Sequence, residues 1–253
     1  MSSGWKYAAA SVVGTAHRKL PDGICQDAHA LDYIQRLSAF VGVVSDGAGS
    51  AAQAQRGSRI ACDFVLERIA ETSPNLVFAK TLADETLDEL RGKLQSLADN
   101  EGFQTRDFAC TLLVAIICPD RAVFWQMGDG AMCFRQRGED RFKYAFWPGK
   151  GDYANVTYFV TDDNAKDQLD FDITAGEIVE LGMFSDGLER LALDFAAGEA
   201  HTGFFSGLFP HMHNLPEGRC EVLSSQIANF LGSERVNQRT DDDKTLILAS
   251  RVQ

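Results

Sequence analysis

The chain has no run approaching eighteen consecutive apolar residues, which argues against a membrane-spanning helix. Its start, Met1-Ser-Ser-Gly-Trp-Lys, lacks a basic stretch followed by a long apolar core, so no secretory leader is expected. Basic residues are in short supply: 24 Lys and Arg face 36 Asp and Glu, for a formal charge of −12. Without clustered Lys or Arg a phosphate backbone finds no counter-charge, so neither nucleic acid nor membrane is an expected partner. Cysteine occurs six times, at 25, 62, 110, 118, 133 and 220, and never as a C-x-x-C pair. That scatter argues against a zinc site and for reduced core thiols in a cytoplasmic protein. No Pro-, Gly- or Ser-rich linker, repeat or low-complexity tract interrupts the 253 residues, so one domain covering 1–253 is expected.

What is present is ordinary globular composition, 45% apolar and 24% charged. Residues 5–13 and 38–44 read as strands. Apolar positions at three- and four-residue steps predict helices over 51–71 and 76–99, separated at Pro74. Short apolar segments at 109–118, 121–127, 131–136 and 141–147, broken by turn residues, predict an antiparallel meander. Residues 148–176 read as a surface flap plus one strand, with a further strand at 177–184. Two or three helices follow over 187–232, and a last strand begins at Thr245. Helices that come in pairs, instead of alternating singly with strands, favour antiparallel sheets with helices on their outer faces, an α+β fold.

The chemistry-bearing feature is a set of aspartates at strand ends. Ser45-Asp46-Gly47 closes one strand and Ser185-Asp186-Gly187 repeats it at another. Gly128-Asp129-Gly130 lies between two strands, and Thr240-Asp241-Asp242-Asp243 opens the last one. A single Asp-Gly is usually a turn and an Asp before a helix is usually a cap. Four with one local grammar suggest a shared sheet rim, where like charges need a counter-ion. A hard dication such as Mg²⁺ or Mn²⁺ suits oxygen donors, and glycine beside aspartate lets a backbone carbonyl approach it.

In these pieces, taken with Cys25-Gln26-Asp27-Ala28 and Cys110-Thr111-Leu-Leu-Val-Ala, the sequence resembles the metal-dependent protein phosphatases of type 2C, in their shorter bacterial form. The motifs keep the family's order from 26 to 245. The resemblance implies an α-β-β-α sandwich and hydrolysis of Ser/Thr-phosphorylated proteins, opposite a kinase, by a water bridging two Mn²⁺ or Mg²⁺ ions. Asp46 would bridge both metals and the Gly47 carbonyl would ligate one. Asp186 and Asp242 would hold the second, and Asp129 would join Asp186 at a possible third. Gln26 and Asp27 stand where the family orients metal-bound water. The family usually has Glu-Asp there, so Gln26 removes one negative charge. Where some eukaryotic members carry a His after the Asp-Gly, this chain has Ala48. An Arg shortly before the acidic pair normally grips phosphate. Here His17-Arg18-Lys19 comes somewhat early, with Arg18 the better bidentate group and His17 the alternative.

Two other readings compete. A relative that binds phosphoproteins without turnover is compatible with Gln26, although the aspartate set is intact. Gly47-Ala-Gly49-Ser-Ala-Ala52 fits a dinucleotide-binding fingerprint, but a second helix follows where that motif requires a parallel strand. Pro148-Gly-Lys150-Gly lacks P-loop spacing. His211 and His213 have ligand chemistry, and a loop between Pro210 and Pro216 explains them equally well. Phe124 and Trp125 read as core, and Arg135, Arg137 and Arg141 as solvated hairpin charges. Tyr153 and Asn155, in the flap, are where substrate selectivity is expected.

Overall fold

In the computed structural model the described residues are 4–19, 23–148 and 157–252. Along the chain the first elements are β1 (Trp5–Val12), β2 (Ala28–Ile34) and β3 (Ala39–Ser45), then α1 (Ala54–Glu71) and α2 (Lys80–Glu101). β4 (Leu112–Ile117), β5 (Arg121–Met127), β6 (Ala131–Gln136) and β7 (Lys143–Tyr144) follow, then β8 (Asp170–Ala175) and β9 (Ile178–Phe184). The last part holds α3 (Glu189–Ala192), a small hairpin of β10 (Leu193–Asp194) and β11 (Glu199–Ala200), and α4 (Thr202–Leu208). It closes with β12 (Gly218–Arg219), α5 (Glu221–Leu231), α6 (Glu234–Asn237) and β13 (Lys244–Arg251).

The strands form two sheets. One has the order β2-β3-β4-β5-β8 and is antiparallel throughout. The other runs β12-β1-β13-β9-β6-β7 and is antiparallel except for the short β1–β12 pairing. Alternation in β3 shows how the layers stack. Val41 and Val43 face α1 and α2, in a core with Val65, Leu87 and Leu90. Phe40 and Val44 face the second sheet, in a core with Trp5, Met183 and Ile247. The outer face of the second sheet, including Phe184 and Leu248, is covered by Phe205, Phe209, Leu223 and Ile227 from the later helices. The result is the expected α-β-β-α layering.

Three expectations need correction. The segment 109–147 is not one meander, because β5 pairs with β8 while β6 pairs with β9 in the other sheet. Sequential apolar segments with turns between them look alike whether the chain folds back or crosses the core. The strand β2 was not expected, since Ala28 to Ile34 alternates only weakly and carries His29 and Asp32. The first helix starts at Ala54, not 51, after turns at Ala48–Ala51 and Ala51–Ala54. Of the flap, 157–169 is irregular apart from a short turn at Ala165–Gln168, and β8 supplies its strand. Lys150, Tyr153 and Asn155 lie outside the described residues.

Candidate metal centre

Strand register gathers the aspartates. Ala28 pairs with Ser45, so Asp27 and Asp46 stand side by side where β2 begins and β3 ends. In the other sheet Phe184 pairs with both Ala131 and Leu246. Asp186 thereby meets the turn holding Asp129 on one side and the Asp242-Asp243 segment on the other.

The repeated Ser-Asp-Gly does two jobs. Ser45 Oγ donates to the Thr111 carbonyl at 2.6 Å, while Asp46 N donates to Thr111 Oγ1 at 2.9 Å and Thr111 N to the Asp46 carbonyl at 2.8 Å. Ser185 Oγ donates to Asp27 Oδ2 at 2.6 Å and accepts from Thr245 N at 3.0 Å, tying the two sheets together. Glycine is required at 187 because a Cβ there would lie 2.0 Å from the Asp243 carbonyl. Gly128 and Gly130 both adopt φ of +86°, which lets the chain cross between sheets in a tight turn that projects Asp129. Thr157 Oγ1 donates to Asp129 Oδ2 at 2.9 Å.

Carboxylate oxygens of Asp46, Asp129 and Asp186 all lie within 4.8 Å of one another. Burial and the neighbouring charges of Asp27 and Asp186 hold Asp46 well above the usual carboxylate range. Burial, followed by the charges of Asp129 and Asp242, pushes Asp186 up to about 7. Burial raises Asp27 to about 6 against the opposing hydrogen bond from Ser185. Asp27 Oδ1, Asp186 Oδ1 and Gln26 Oε1 are buried without a hydrogen-bond partner among the described residues. Crowded, unpartnered hard oxygens of this kind suit Mg²⁺ or Mn²⁺.

Asp242 lies just outside this triplet. It is exposed and lines, with Asp129, Asp186 and Glu189, a cavity of about 690 Å³. Its Oδ1 accepts from Asp243 N at 2.8 Å. Gly47 pairs with Cys110, and a Cβ there would lie 2.6 Å from the Ala54 carbonyl. Gln26 is anchored through its backbone N, which donates to Asp243 Oδ2 at 2.6 Å. His17 is drawn to the same anchor, its Nδ1 2.9 Å from Asp243 Oδ2 but not aligned for a hydrogen bond. Arg18 is exposed and lies beside Gly232 and Lys244. The two histidines diverge: His211 lines a different cavity, and His213 Nε2 lies 3.5 Å from Glu180. Arg135 and Arg137 are paired with Glu180 and Glu177.

Several residues at the site carry no motif of their own. Asp243 is buried and also accepts Gly14 N at 2.6 Å, yet nothing in Asp241-Asp242-Asp243 says which aspartate points inward. Glu189 Oε1 accepts Gly130 N at 2.8 Å, and burial raises its carboxyl to about 7. Its place just after Ser-Asp-Gly-Leu was the available signal. Arg190, Phe195 and Arg239 complete the cavity wall, and only folding brings them there.

Comparison with known proteins adds independent findings. The family model described as Protein phosphatase 2C matches residues 13–232. The chain is 34% identical over 253 residues to Serine/threonine-protein phosphatase 3 of Escherichia coli (strain K12), covering 97% of this chain and 98% of that protein. Among solved structures, the serine/threonine phosphatase Stp1 from Staphylococcus aureus superposes with a TM-score of 0.65 at 15% identity, covering 96% and 94% of the two chains. The catalytic domain of the phosphatase PstP, solved with two manganese ions, gives 0.64 at 15% identity with 99% of each chain covered.

Proposed function

The chain belongs to the protein phosphatase 2C family, and from that premise we propose that its carboxylate rim is the catalytic centre of a metal-dependent Ser/Thr protein phosphatase. The observation that carries this reading is the triplet Asp46, Asp129 and Asp186, drawn from two sheets to within 4.8 Å without a basic side chain paired to it among the described residues. In it Asp46 and the Gly47 carbonyl, with Asp186 and Asp242, would hold two Mn²⁺ or Mg²⁺ ions, and Asp129 with Asp186 would offer a third position. Bound there, the ions supply Lewis-acid neutralisation of the phosphoryl group and a nucleophilic water at neutral pH.

The remaining residues keep the site ready. Asp27, fixed by Ser185, sits behind Asp46 and restrains it sterically and electrostatically. Gln26 Oε1, buried beside Gly49 with no partner among the described residues, would accept a hydrogen bond from a water at the centre. Glu189 holds the Gly130 turn and thus the direction of Asp129. Inter-sheet packing from β1 to β13 supports residues 1–253 acting as one unit. The free cysteines support a reducing cytoplasm, where a kinase would supply the phosphoprotein. No described helix is long and apolar enough to cross a membrane.

The test is hydrolysis of p-nitrophenyl phosphate with and without Mn²⁺, for wild type and Asp46→Asn. Mn²⁺-dependent turnover that the substitution abolishes is the expected result. Calorimetric Mn²⁺ binding without turnover would instead favour a phosphoprotein-binding relative, and absence of both would overturn the metal centre.

A further inference from the structure

We propose that the cavity adjoining the acidic cluster docks acidic residues flanking the phosphorylated Ser or Thr of the substrate, with Arg190, Arg235 and Arg239 as the recognising groups. The proposal rests on the phosphatase reading above and specifies which phosphoproteins that site prefers.

The acidic cavity does not end at its carboxylates. Arg190, Leu191 and Arg239 form part of its wall and also part of the wall of a larger cavity of about 820 Å³. The larger cavity lies beneath α4, α5 and α6 on the outer face of β13, with an apolar floor that includes Phe204 and Leu248. Its size suits several side chains of a bound segment. A peptide whose phosphate sits at the carboxylate cluster reaches this cavity by passing over the two shared arginines.

The charge of the wall selects the occupant. Among the described residues no Asp or Glu lines the larger cavity, although the chain as a whole carries −12. Elsewhere Arg56, Arg68, Arg135, Arg137 and Arg219 are each locked to a glutamate. Arg190, Arg235 and Arg239 form no ion pair or hydrogen bond through their guanidiniums among the described residues. Three unspent planar cations over an apolar floor match carboxylates on a short extended segment, which a protein of this net charge would otherwise repel.

The experiment compares two phosphoserine peptides that differ only in flanking glutamates against flanking glutamines. Steady-state kinetics with Mn²⁺ are measured for wild type, Arg235→Glu and Arg235→Lys. Arg235 is chosen because it lines the larger cavity and not the acidic one. Wild type should show a KM about tenfold lower for the glutamate peptide with similar kcat, since exposed ion pairs are individually weak and act here as a group. Arg235→Glu should erase that preference, Arg235→Lys should retain most of it, and salt should weaken it. Equal KM values in wild type, or a preference untouched by Arg235→Glu, would overturn the proposal. If the Mn²⁺-loaded wild type hydrolyses neither peptide nor p-nitrophenyl phosphate, the phosphatase reading fails separately. Docking is then decided by anisotropy of the fluorescein-labelled peptides: tighter binding of the glutamate peptide that Arg235→Glu removes supports it, and equal binding refutes it.

Discussion

Two groups of aspartates stand at one rim of the sandwich in opposite circumstances. Asp243 is buried and satisfied: the N–H groups of Gly14 and Gln26 each donate to it at 2.6 Å, and His17 lies against it. Asp27, Asp46 and Asp186 are crowded together, and one buried oxygen each of Asp27 and Asp186 has no hydrogen-bond partner among the described residues. A carboxylate that accepts two backbone donors contributes to stability, whereas carboxylates that face one another oppose it until a cation arrives. The same side chain on the same rim is thus structural in one place and a stored electrostatic cost in the other.

The largest expected effect that sharpens this contrast is in the crowded group. Asp186→Asn should lower Mn²⁺-dependent turnover by about 10²–10³-fold while raising the melting temperature of the metal-free protein. Relief of repulsion is worth about 2–4 °C per kcal/mol in a chain of this size. Lost activity together with a lowered metal-free melting temperature would break the comparison. Asp243→Ala should do the reverse to stability. Leaving the Gly14 and Gln26 donors unpaired costs about 2–4 kcal/mol, read as a lower urea midpoint with or without metal.

A pH dependence follows for the metal-free protein. Folding raises Asp27 to about 6 and Asp186 and Glu189 to about 7, above their ordinary values. A carboxyl raised in the folded state favours folding fully below its unfolded pKa, and that contribution is lost as pH climbs through the folded value. Metal-free melting temperature should therefore fall between about pH 4 and pH 8, and saturating Mn²⁺ should flatten or invert the trend. A metal-free protein that gains stability over that range would contradict the raised values. The smallest effect belongs to a carboxylate outside both groups. Glu101 is exposed and paired with Arg56, so Glu101→Gln should leave the melting temperature unchanged within error.

Much of this was legible before the fold was known, because it is local. Turn glycines, buried strand residues and helix periodicity leave short-range marks, so β3, β5, α1 and α2 could be read directly. The aspartates of the crowded cluster were legible through the doubled Ser-Asp-Gly, whose serines turn out to be fastened to Thr111 and to Asp27. Illegible were β2, with its weak alternation, and the crossing at Gly128–Gly130, which resembles a hairpin turn until the pairing partners of β5 and β6 are known. Arg18 attracted attention as a phosphate ligand because of where it falls along the chain, and its neighbours Gly232 and Lys244 are set by tertiary structure alone.

By itself the sequence determined the layer composition, the acidic character and the set of aspartates able to take a hard cation, since each is a property of residue type and near spacing. Only tertiary structure decided that Asp46 and Asp186 meet across two sheets, that Asp243 turns inward while Asp242 stays at the rim, and that Arg190 and Arg239 join two cavities. Those outcomes depend on register and on packing between residues far apart in the chain, and neither leaves a local mark.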